Sequence, residues 1–354
     1  MNKTFRHISS AVLGIVVFLF WWLFYPYALS FQEQNQLFLF TWDYFSERIS
    51  LSGGLADYIA EFITQFSYIP YLGEALLAVV FVIFQKAIAL SIDRDEWYVL
   101  SFVAPVMMLV YMSDIYVMLS YLVALIAAVL LCALYRRHPG IIWAGIATVL
   151  GYWLIGPAIF VFTLFAVIRE RNSKSLMLIA LSVIVVVASR LTYLQQYPWK
   201  TVIFGINYYR LPITVPAMQL IIAGVTALIP AFSDLLPKPR RILDISLGLL
   251  ILTGGIAGCW LNYEKDVVEI IAYDQLVRRE DWDGLLERAE KYQPDSELGS
   301  VSVNLALFMS GRGNELPKFK QFGTRGLILP NIRDFISNAS STEVFWRLGM
   351  INES

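Results

Sequence analysis

Charged residues are scarce in this chain, at 16% of its 354 positions, whereas hydrophobic residues make up 58%. Soluble domains carry about 25% charged residues, so the composition excludes an ordinary soluble globular protein. The formal net charge is −1. A balance this close to neutral supplies no basic surface for phosphate backbones, and we therefore expect no nucleic-acid partner.

Histidine and cysteine are equally rare, with two residues of each. His7 and His138 lie beside basic residues at the ends of apolar runs, which argues against zinc-hydrolase motifs and a Ser-His-Asp triad. Cys132 and Cys259 lie inside apolar stretches and are expected to be small core residues rather than a disulfide or metal ligands. Glycine fingerprints for nucleotide phosphates are absent.

Long apolar segments fill the first 262 residues, close to the roughly 20 residues that cross a bilayer as a helix. The first is longer than the apolar core of a signal peptide, so we interpret it as an uncleaved anchor. The segments are 8–29, 71–92, 97–112, 115–135, 140–168, 175–191, 214–235 and 242–262. The sequence predicts an all-α transmembrane bundle over residues 1–262, embedded in a lipid bilayer such as a bacterial inner or plasma membrane.

One apolar segment, 140–168, contains the helix-breaking pair Gly156-Pro157. It is either one bent span or a hairpin of two short helices. Arg136 and Arg169 belong to the basic clusters on its two sides, and the positive-inside rule places both clusters in the cytoplasm. That rule favours the hairpin, since a single span would separate them.

The hairpin gives about nine passes, two of them short. The N-terminus is then cytoplasmic, while loop 30–70, loop 192–213 and the C-terminal region are extracytoplasmic. A single bent span would reverse every side after residue 168.

Residues 263–354 are richer in charge and helical in period. Trp282, Leu285, Ala289 and Tyr292 follow a spacing similar to a tetratricopeptide helix pair, with at most one or two units where stable stacks need about three. We expect a helical, tetratricopeptide-like second domain that either packs on the membrane part or is incomplete in a chain belonging to a longer protein.

Loop 30–70 is acidic and aromatic. Within it, residues 55–66 place Ile59 and Phe62 on one helical face and Asp57 and Glu61 on another. This pattern predicts a helix in the membrane interface, with its apolar side toward lipid and its acids in solvent.

Asp43 lies between two aromatic residues, Trp42 and Tyr44, about a dozen residues beyond the first span. A carboxylate at this height is a candidate general base, or a ligand of a divalent cation that bridges a donor phosphate. Glu33 is the second candidate carboxylate, and the flanking rings are candidates for stacking on sugar faces. The alternative is a solvated loop beside headgroups.

Two cations, Lys200 and Arg210, lie among the tyrosines of loop 192–213, including Tyr208. They are candidate ligands for a phosphate or pyrophosphate, Arg210 through its planar guanidinium. The alternative is an aromatic belt with snorkelling cations.

The acidic aromatic loop after the first span, the broken helix pair and the stretch "DWDGLLERAEKY" at 281–292 together resemble a family of uncharacterised multi-pass membrane proteins with a C-terminal tetratricopeptide-like region. The resemblance implies no activity, and implies further helices beyond residue 354. In layout alone, the membrane part is similar to GT-C type glycosyltransferases, which use lipid-linked sugars and place a carboxylate in the first outer loop.

Two functional hypotheses follow, one enzymatic and one not. The chain is a cell-envelope transferase with a polyprenyl-phosphate-linked sugar donor, or a non-catalytic scaffold that recruits protein partners through residues 263–354. A transporter is disfavoured because neither a buried charge network nor an inverted repeat stands out.

Overall fold

The computed structural model describes residues 3–25, 27–170, 175–205, 209–210, 217–326, 342 and 344–350. Its α-helices are α1 (Lys3–Phe24), α2 (Ala28–Gln34), α3 (Trp42–Ile49), α4 (Gly54–Thr64), α5 (Leu72–Ile92), α6 (Val103–Met112), α7 (Leu119–Arg137), α8 (Ile141–Ile155), α9 (Ile159–Glu170), α10 (Leu176–Leu191), α11 (Trp199–Phe204), α12 (Ala217–Phe232), α13 (Arg241–Leu261), α14 (Lys265–Arg278), α15 (Trp282–Lys291) and α16 (Glu297–Met309). Short 3-10 helices lie at Gln65–Tyr68, Asp95–Phe102, Gly156–Ala158, Ser233–Leu235, Gly313–Lys318 and Gly323–Gly326. The predicted all-α class is confirmed for the described residues.

The chain forms two compact units. One comprises Met1–Trp22 and Gln32–Tyr263, and the other comprises Leu23–Phe31 and Glu264–Ser354. The first unit carries the apolar helices, and the second consists mainly of α14, α15 and α16.

Within the described residues, seven helical segments are long and apolar enough to cross a membrane, as expected of an integral membrane protein. They are Thr4–Phe24, Leu72–Ile92, Asp95–Met112, Leu119–Arg137, Ile141–Glu170, Ala217–Leu235 and Ile242–Leu261. Many of their large side chains are exposed, including Leu250 and Ile256 on α13. Such surfaces are stable in lipid, where exposed hydrocarbon carries no hydration penalty.

Helix α7 is the centre of the first unit. It packs against α4, α5, α8, α9 and α12, and its residues Leu122, Leu125 and Val129 are fully buried. Ala124 and Ala128 are buried as well, and small side chains of this kind let membrane helices approach closely. Because α7 is surrounded by these five helices, its position in the first unit is fixed by packing along its length.

The apolar segment Ile141–Glu170 folds back on itself. The Oγ1 atoms of Thr148 on α8 and Thr163 on α9 are 3.1 Å apart, although a continuous helix would separate residues of this spacing by about 22 Å. The rings of Trp143 and Phe162 also meet, with centroids 5.6 Å apart. The predicted hairpin is therefore confirmed, and the single bent span is excluded.

Two arginines on either side of the hairpin contact the same carboxylate. Arg136, at the end of α7, lies 2.9 Å from Asp234, and Arg169, at the end of α9, forms an ion pair with the same side chain. Arg136 also donates to the hydroxyl of Ser233 at 2.7 Å. The two basic clusters that favoured the hairpin thus lie at one end of the bundle.

The hairpin turns at Gly156, whose φ of +67° and ψ of −156° lie in a region that is open essentially to glycine alone. Pro157 follows and starts a short 3-10 turn. We expect Gly156→Ala to lower the free energy of unfolding by about 1–3 kcal/mol through backbone strain, measured by denaturant unfolding in detergent.

Gly224→Ala on α12 is the matched control, because a Cβ at Gly224 meets no atom within 4 Å. An equal loss in both variants would contradict the assignment of strain to the turn.

The second unit has its own core. Helix α15 begins at Trp282, which packs against buried residues, and the side chain of Asp281 accepts a hydrogen bond from the Gly284 N–H at 3.0 Å to cap the helix. Arg288 on α15 donates to both carboxylate oxygens of Glu269 on α14, at 2.7 and 2.9 Å. The core residues are Tyr273, Leu276, Val277, Leu285, Leu286, Ala289, Val301, Val303, Leu305, Ala306, Leu307, Phe319 and Val344.

Candidate functional site

Helices α3 and α4 bring a cation and two carboxylates together. Helix α3 starts after Thr41, whose side chain accepts a hydrogen bond from the Tyr44 N–H at 3.3 Å. Arg48 lies in the last turn of α3, where a positive charge interacts favourably with the helix dipole. The chain then reverses so that α4 lies against α3, and this reversal places Glu61 next to Arg48.

The reversal depends on glycine at the start of α4. Gly53 has a φ of +86°, a conformation that glycine adopts without steric cost. At Gly54 a Cβ would lie 1.7 Å from the carbonyl oxygen of Arg48, so the backbones of α3 and α4 are in direct contact there. No larger residue fits this junction without a shift of the main chain.

Helix α4 packs its small and polar residues against α7 and α8. Ala56, Ala60 and Glu61 are buried, while Ile59 and Phe62 are largely exposed. The small side chains allow the close approach, and this approach carries the acids of α4 into the protein. We find Asp57 partly buried and Glu61 only 5% exposed.

Arg48 and Glu61 form a charge-assisted pair with two contacts. Nη2 of Arg48 lies 2.7 Å from Oε1 of Glu61, and Nε donates to Oε2 at 3.1 Å. The hydroxyl of Tyr44 donates to the same Oε2 at 2.5 Å, and the guanidinium lies over the Tyr44 ring at 4.9 Å from its centroid. Such forked contacts fix the orientation of an arginine.

Asp57 accepts a hydrogen bond from a residue of α7, the central helix of the first unit. The hydroxyl of Ser120, near the start of α7, donates to Oδ1 of Asp57 at 2.7 Å. Asp57 and Glu61 are separated by one helical turn, so their charges repel each other. We call Tyr44, Arg48, Asp57, Glu61 and Ser120 the carboxylate cluster.

Burial raises the pKa values of both acids. The pKa of Glu61 rises to about 7 through burial and then through the negative charge of Asp57, against the opposing effects of Tyr44 and Arg48. Burial raises the pKa of Asp57, while the Ser120 hydrogen bond and the charge of Arg48 lower it. The cluster therefore contains an acid that exchanges a proton near neutral pH.

A pocket of about 120 Å³ adjoins the cluster. Its lining combines a cationic residue and an acidic residue with hydroxyl-bearing and apolar residues. The lining residues are Arg48, Leu51, Ser52, Asp57, Leu194, Tyr197, Thr201 and Val202. Pockets that enclose a drug-sized ligand measure about 300–1,000 Å³, so this pocket has room only for a small polar group.

The end of α8, next to the turn of the hairpin, is hydrogen-bonded to segments that line or adjoin the pocket. The hydroxyl of Ser52 donates to the carbonyl oxygen of Tyr152 at 2.6 Å, and the Tyr152 hydroxyl donates to the carbonyl oxygen of Val202 at 2.7 Å. The indole N–H of Trp153 donates to the carbonyl oxygen of Ile49 at 2.7 Å. The end of α8 thus holds two of the segments that line the pocket, one around Ser52 and one around Val202.

The comparison with protein families decides the affiliation. Residues 2–354 match a family described as a family of unknown function, DUF6057. The chain belongs to this family. The comparisons with curated proteins and with solved structures returned no match.

In this DUF6057 member, the four predicted residues of loop 30–70 lie in different environments. Tyr44 lies in the carboxylate cluster. Asp43 points outward from the first turn of α3, and Trp42 beside it is 75% exposed. Glu33 on α2 is partly buried, which raises its pKa. The predicted roles of Asp43, Glu33 and Trp42 remain predictions.

The two predicted cations also differ. Lys200 is exposed on α11. Arg210 is buried, forms an ion pair with Asp114 and lies 5.6 Å from the centroid of the Tyr116 ring. The guanidinium of Arg210 thus already has an anionic partner, and its predicted role as a phosphate ligand remains a prediction. Tyr208 lies outside the described residues.

Sequence reasoning missed Arg48, Asp57 and Glu61. The prediction that the acids of α4 face solvent was wrong, because that face packs against α7 and α8. The buried charges also remove one of the two arguments against a transporter, the absence of a buried charge network; the argument from the lack of an inverted repeat is unchanged. One signal was present in the sequence: α4 contains the small residues Gly54, Ala56 and Ala60, and small side chains let membrane helices approach closely.

A divalent cation was one predicted cofactor. Among the described residues, His, Cys, Asp and Glu form no group of three or more that could hold a metal ion. The pocket wall supplies one carboxylate, that of Asp57. The cation hypothesis consequently has no residue set of its own in the described part of the chain.

Proposed function

We propose that the protein is a cell-envelope transferase that uses a polyprenyl-phosphate-linked sugar donor, with its reaction centre at the pocket beside the carboxylate cluster. The observation that carries the proposal is the lining of this pocket, where the cationic residue Arg48 and the acidic residue Asp57 border one small space. A cation for phosphate and a base for an acceptor hydroxyl are the minimum for such a transfer.

Arg48 is the proposed phosphate ligand. Its planar guanidinium matches the oxygen geometry of a phosphate group better than an ammonium does. The pocket volume of about 120 Å³ suits the phosphoryl group alone. The polyprenyl chain then extends into lipid, and the sugar lies at the mouth of the pocket beside the acceptor that Asp57 is proposed to activate.

Asp57 is the proposed general base. Ser120 holds one of its oxygens, which orients the carboxylate, and burial raises its pKa. A raised carboxyl pKa improves a general base at neutral pH, because catalysis is best when the pKa approaches the working pH. Tyr197 also lines the pocket, and we assign its hydroxyl to binding an acceptor hydroxyl or water.

The test compares two aspartates in the same loop. Purified protein in nanodiscs receives a polyprenyl-phosphate-linked sugar, and sugar transfer to water or to added acceptor is measured by mass spectrometry. We expect Asp57→Asn to lower the rate by about 10²–10⁴-fold, the usual contribution of a general base. Asp43→Asn, at an exposed position, is the matched control and should stay within about twofold of wild type.

The opposite pattern, with Asp43 essential and Asp57 dispensable, would restore the first interpretation of the loop and refute the proposed centre. Absence of transfer in wild type would favour the second candidate, protein recruitment through residues 263–354. That candidate is supported by the separate core of the second unit and by the exposed side chains of Phe308 and Trp346, and the tetratricopeptide-like nature of this region belongs to the same proposal.

A further inference from the structure

Glu61 occupies a special position relative to the pocket. It contacts Arg48 through both carboxylate oxygens, yet it does not belong to the residues that line the pocket. Its carboxylate binds the guanidinium through the same forked geometry that a phosphate uses.

The two anions compete for one cation. A phosphate group that enters the pocket makes its best contact with the forked N–H groups of Arg48, and Glu61 already uses Nε and Nη2. If Glu61 kept its charge after losing that contact, Asp57, Glu61 and the phosphate would be three anions around one cation. Burying a charge without a partner costs several kcal/mol.

We propose that a phosphate-bearing ligand takes Arg48 from Glu61, and that Glu61 binds one proton from solvent as the ligand enters and returns it as the ligand leaves. The inference rests on the proposed function, since it assumes phosphate at Arg48. The balance is simple: the Glu61 carboxylate plus one proton becomes a carboxylic acid, and no other bond forms or breaks. Ligand affinity is thereby coupled to pH.

The surroundings of Glu61 support this coupling. The described groups whose charge or hydrogen bonds act on it are Tyr44 and Arg48 from α3 and Asp57 from α4. The side chain that α7 adds nearby is the neutral Ser120, bound to Asp57, and Tyr152 of α8 is directed to Val202. With Arg48 as the cation in this group, its transfer to a ligand leaves protonation as the way to neutralise Glu61. A pKa of about 7 makes that protonation accessible.

The experiment measures the dissociation constant of phosphate ligands against pH by isothermal titration calorimetry. One arm uses inorganic phosphate in solution, and the other uses geranylgeranyl phosphate in phosphatidylcholine nanodiscs. Between about pH 7.5 and about pH 8.5 the charge of a phosphate monoester is nearly constant, since its second pKa is about 6. Any change in the affinity for geranylgeranyl phosphate in this window therefore comes from the protein. Inorganic phosphate still releases its second proton in the lower part of the window, so that arm tests only whether phosphate binds without the lipid chain.

We expect the wild-type dissociation constant to rise about tenfold across this window, which corresponds to one linked proton. Glu61→Gln, which cannot release a proton, should bind with a constant that is unchanged across the window and tighter than that of wild type at its upper end. Glu47→Gln removes an exposed carboxylate from α3 and should keep the wild-type slope.

Binding without pH dependence in wild type, or the same slope in Glu61→Gln, would overturn the inference and leave the proposed function standing. Loss of binding at every pH in Glu61→Gln would also overturn it, because Glu61 would then only hold Arg48 in place. No binding of either ligand to wild type at millimolar concentration would refute the proposed function together with the inference. Binding of geranylgeranyl phosphate alone would identify the ligand as a lipid-linked phosphate, and binding of inorganic phosphate alone would identify it as a free phosphate.

Discussion

Arg48→Met should be the most destabilising single change in the carboxylate cluster, with a loss of about 3–5 kcal/mol at about pH 8. The variant keeps much of the side-chain volume but removes the cation that partners Glu61 and acts on Asp57. Both carboxylates then lie inside the protein without a positive neighbour in the cluster. The loss would be measured as the free energy of unfolding in detergent, by denaturant titration.

The same variant should be much less affected at low pH. The pKa of Glu61 is about 7 in the folded protein against an ordinary value of 4.5, so the folded state holds the proton more tightly. As pH rises from about 4.5 to about 7, the unfolded chain loses this proton first and Glu61 lowers stability progressively. Below that window Glu61 is neutral in both the folded and the unfolded state. Loss of Arg48 then leaves no unpaired charge on Glu61 and lowers the free energy of unfolding only slightly.

Two controls make this prediction specific. Adding Glu61→Gln to Arg48→Met should restore part of the stability at about pH 8, because the second change removes the uncompensated charge. Lys200→Met removes an exposed cation and should alter stability by less than about 0.5 kcal/mol. A loss in Arg48→Met that is independent of pH and of Glu61 would show that packing, not charge, explains it.

Gly54→Ala should disrupt the junction of α3 and α4 although it adds a single methyl group. The new Cβ would lie 1.7 Å from the carbonyl oxygen of Arg48 and 2.5 Å from its carbonyl carbon, and backbone atoms cannot turn away as a side chain can. We expect a loss at the upper end of the roughly 1–3 kcal/mol typical of overpacking, or more.

The displacement has a second, local consequence. Moving α4 away from α3 lengthens the contact between Arg48 and Glu61, so the pH dependence of stability attributed to Glu61 should change along with the loss of stability. Gly254→Ala on α13 is the control, because no atom lies within 4 Å of its added Cβ. In that helix the change should be neutral or stabilising by up to about 1 kcal/mol. Unaltered stability in Gly54→Ala would contradict the close backbone contact.

Local signals were sufficient for the architecture. The apolar segments predicted the helical membrane class. The pair Gly156-Pro157, together with Arg136 and Arg169 on either side of the segment, predicted the hairpin. Segment length, the Gly-Pro pair and the positions of basic residues affect only the local backbone or the orientation of a segment in the membrane. They could therefore be interpreted without knowing which helices are in contact.

The site could not be predicted in the same way, because it depends on contacts between distant segments. Glu61 is buried because α4 packs against α7 and α8, and nothing within residues 55–66 specifies those neighbours. Arg210 is similarly held by Asp114, 96 residues earlier. Asp43 was selected for its distance along the chain from the first span. That distance does not show which face of α3 is buried, and Asp43 lies on the exposed face.

The fold-back of α8 and α9 also bears on how the chain enters the bilayer during synthesis. Helix α8 has 15 residues and α9 has 12, so their lengths are about 22 Å and 18 Å against a hydrocarbon layer of about 30 Å. Neither helix can be released into lipid as an independent span, since the turn between them would carry unsatisfied backbone groups into hydrocarbon. The pair must therefore be inserted together, and its turn becomes stable only when Ser52 and Tyr209 reach it from segments made before and after. Completion of this part of the membrane domain thus waits for residue 209, well after the hairpin itself has left the ribosome.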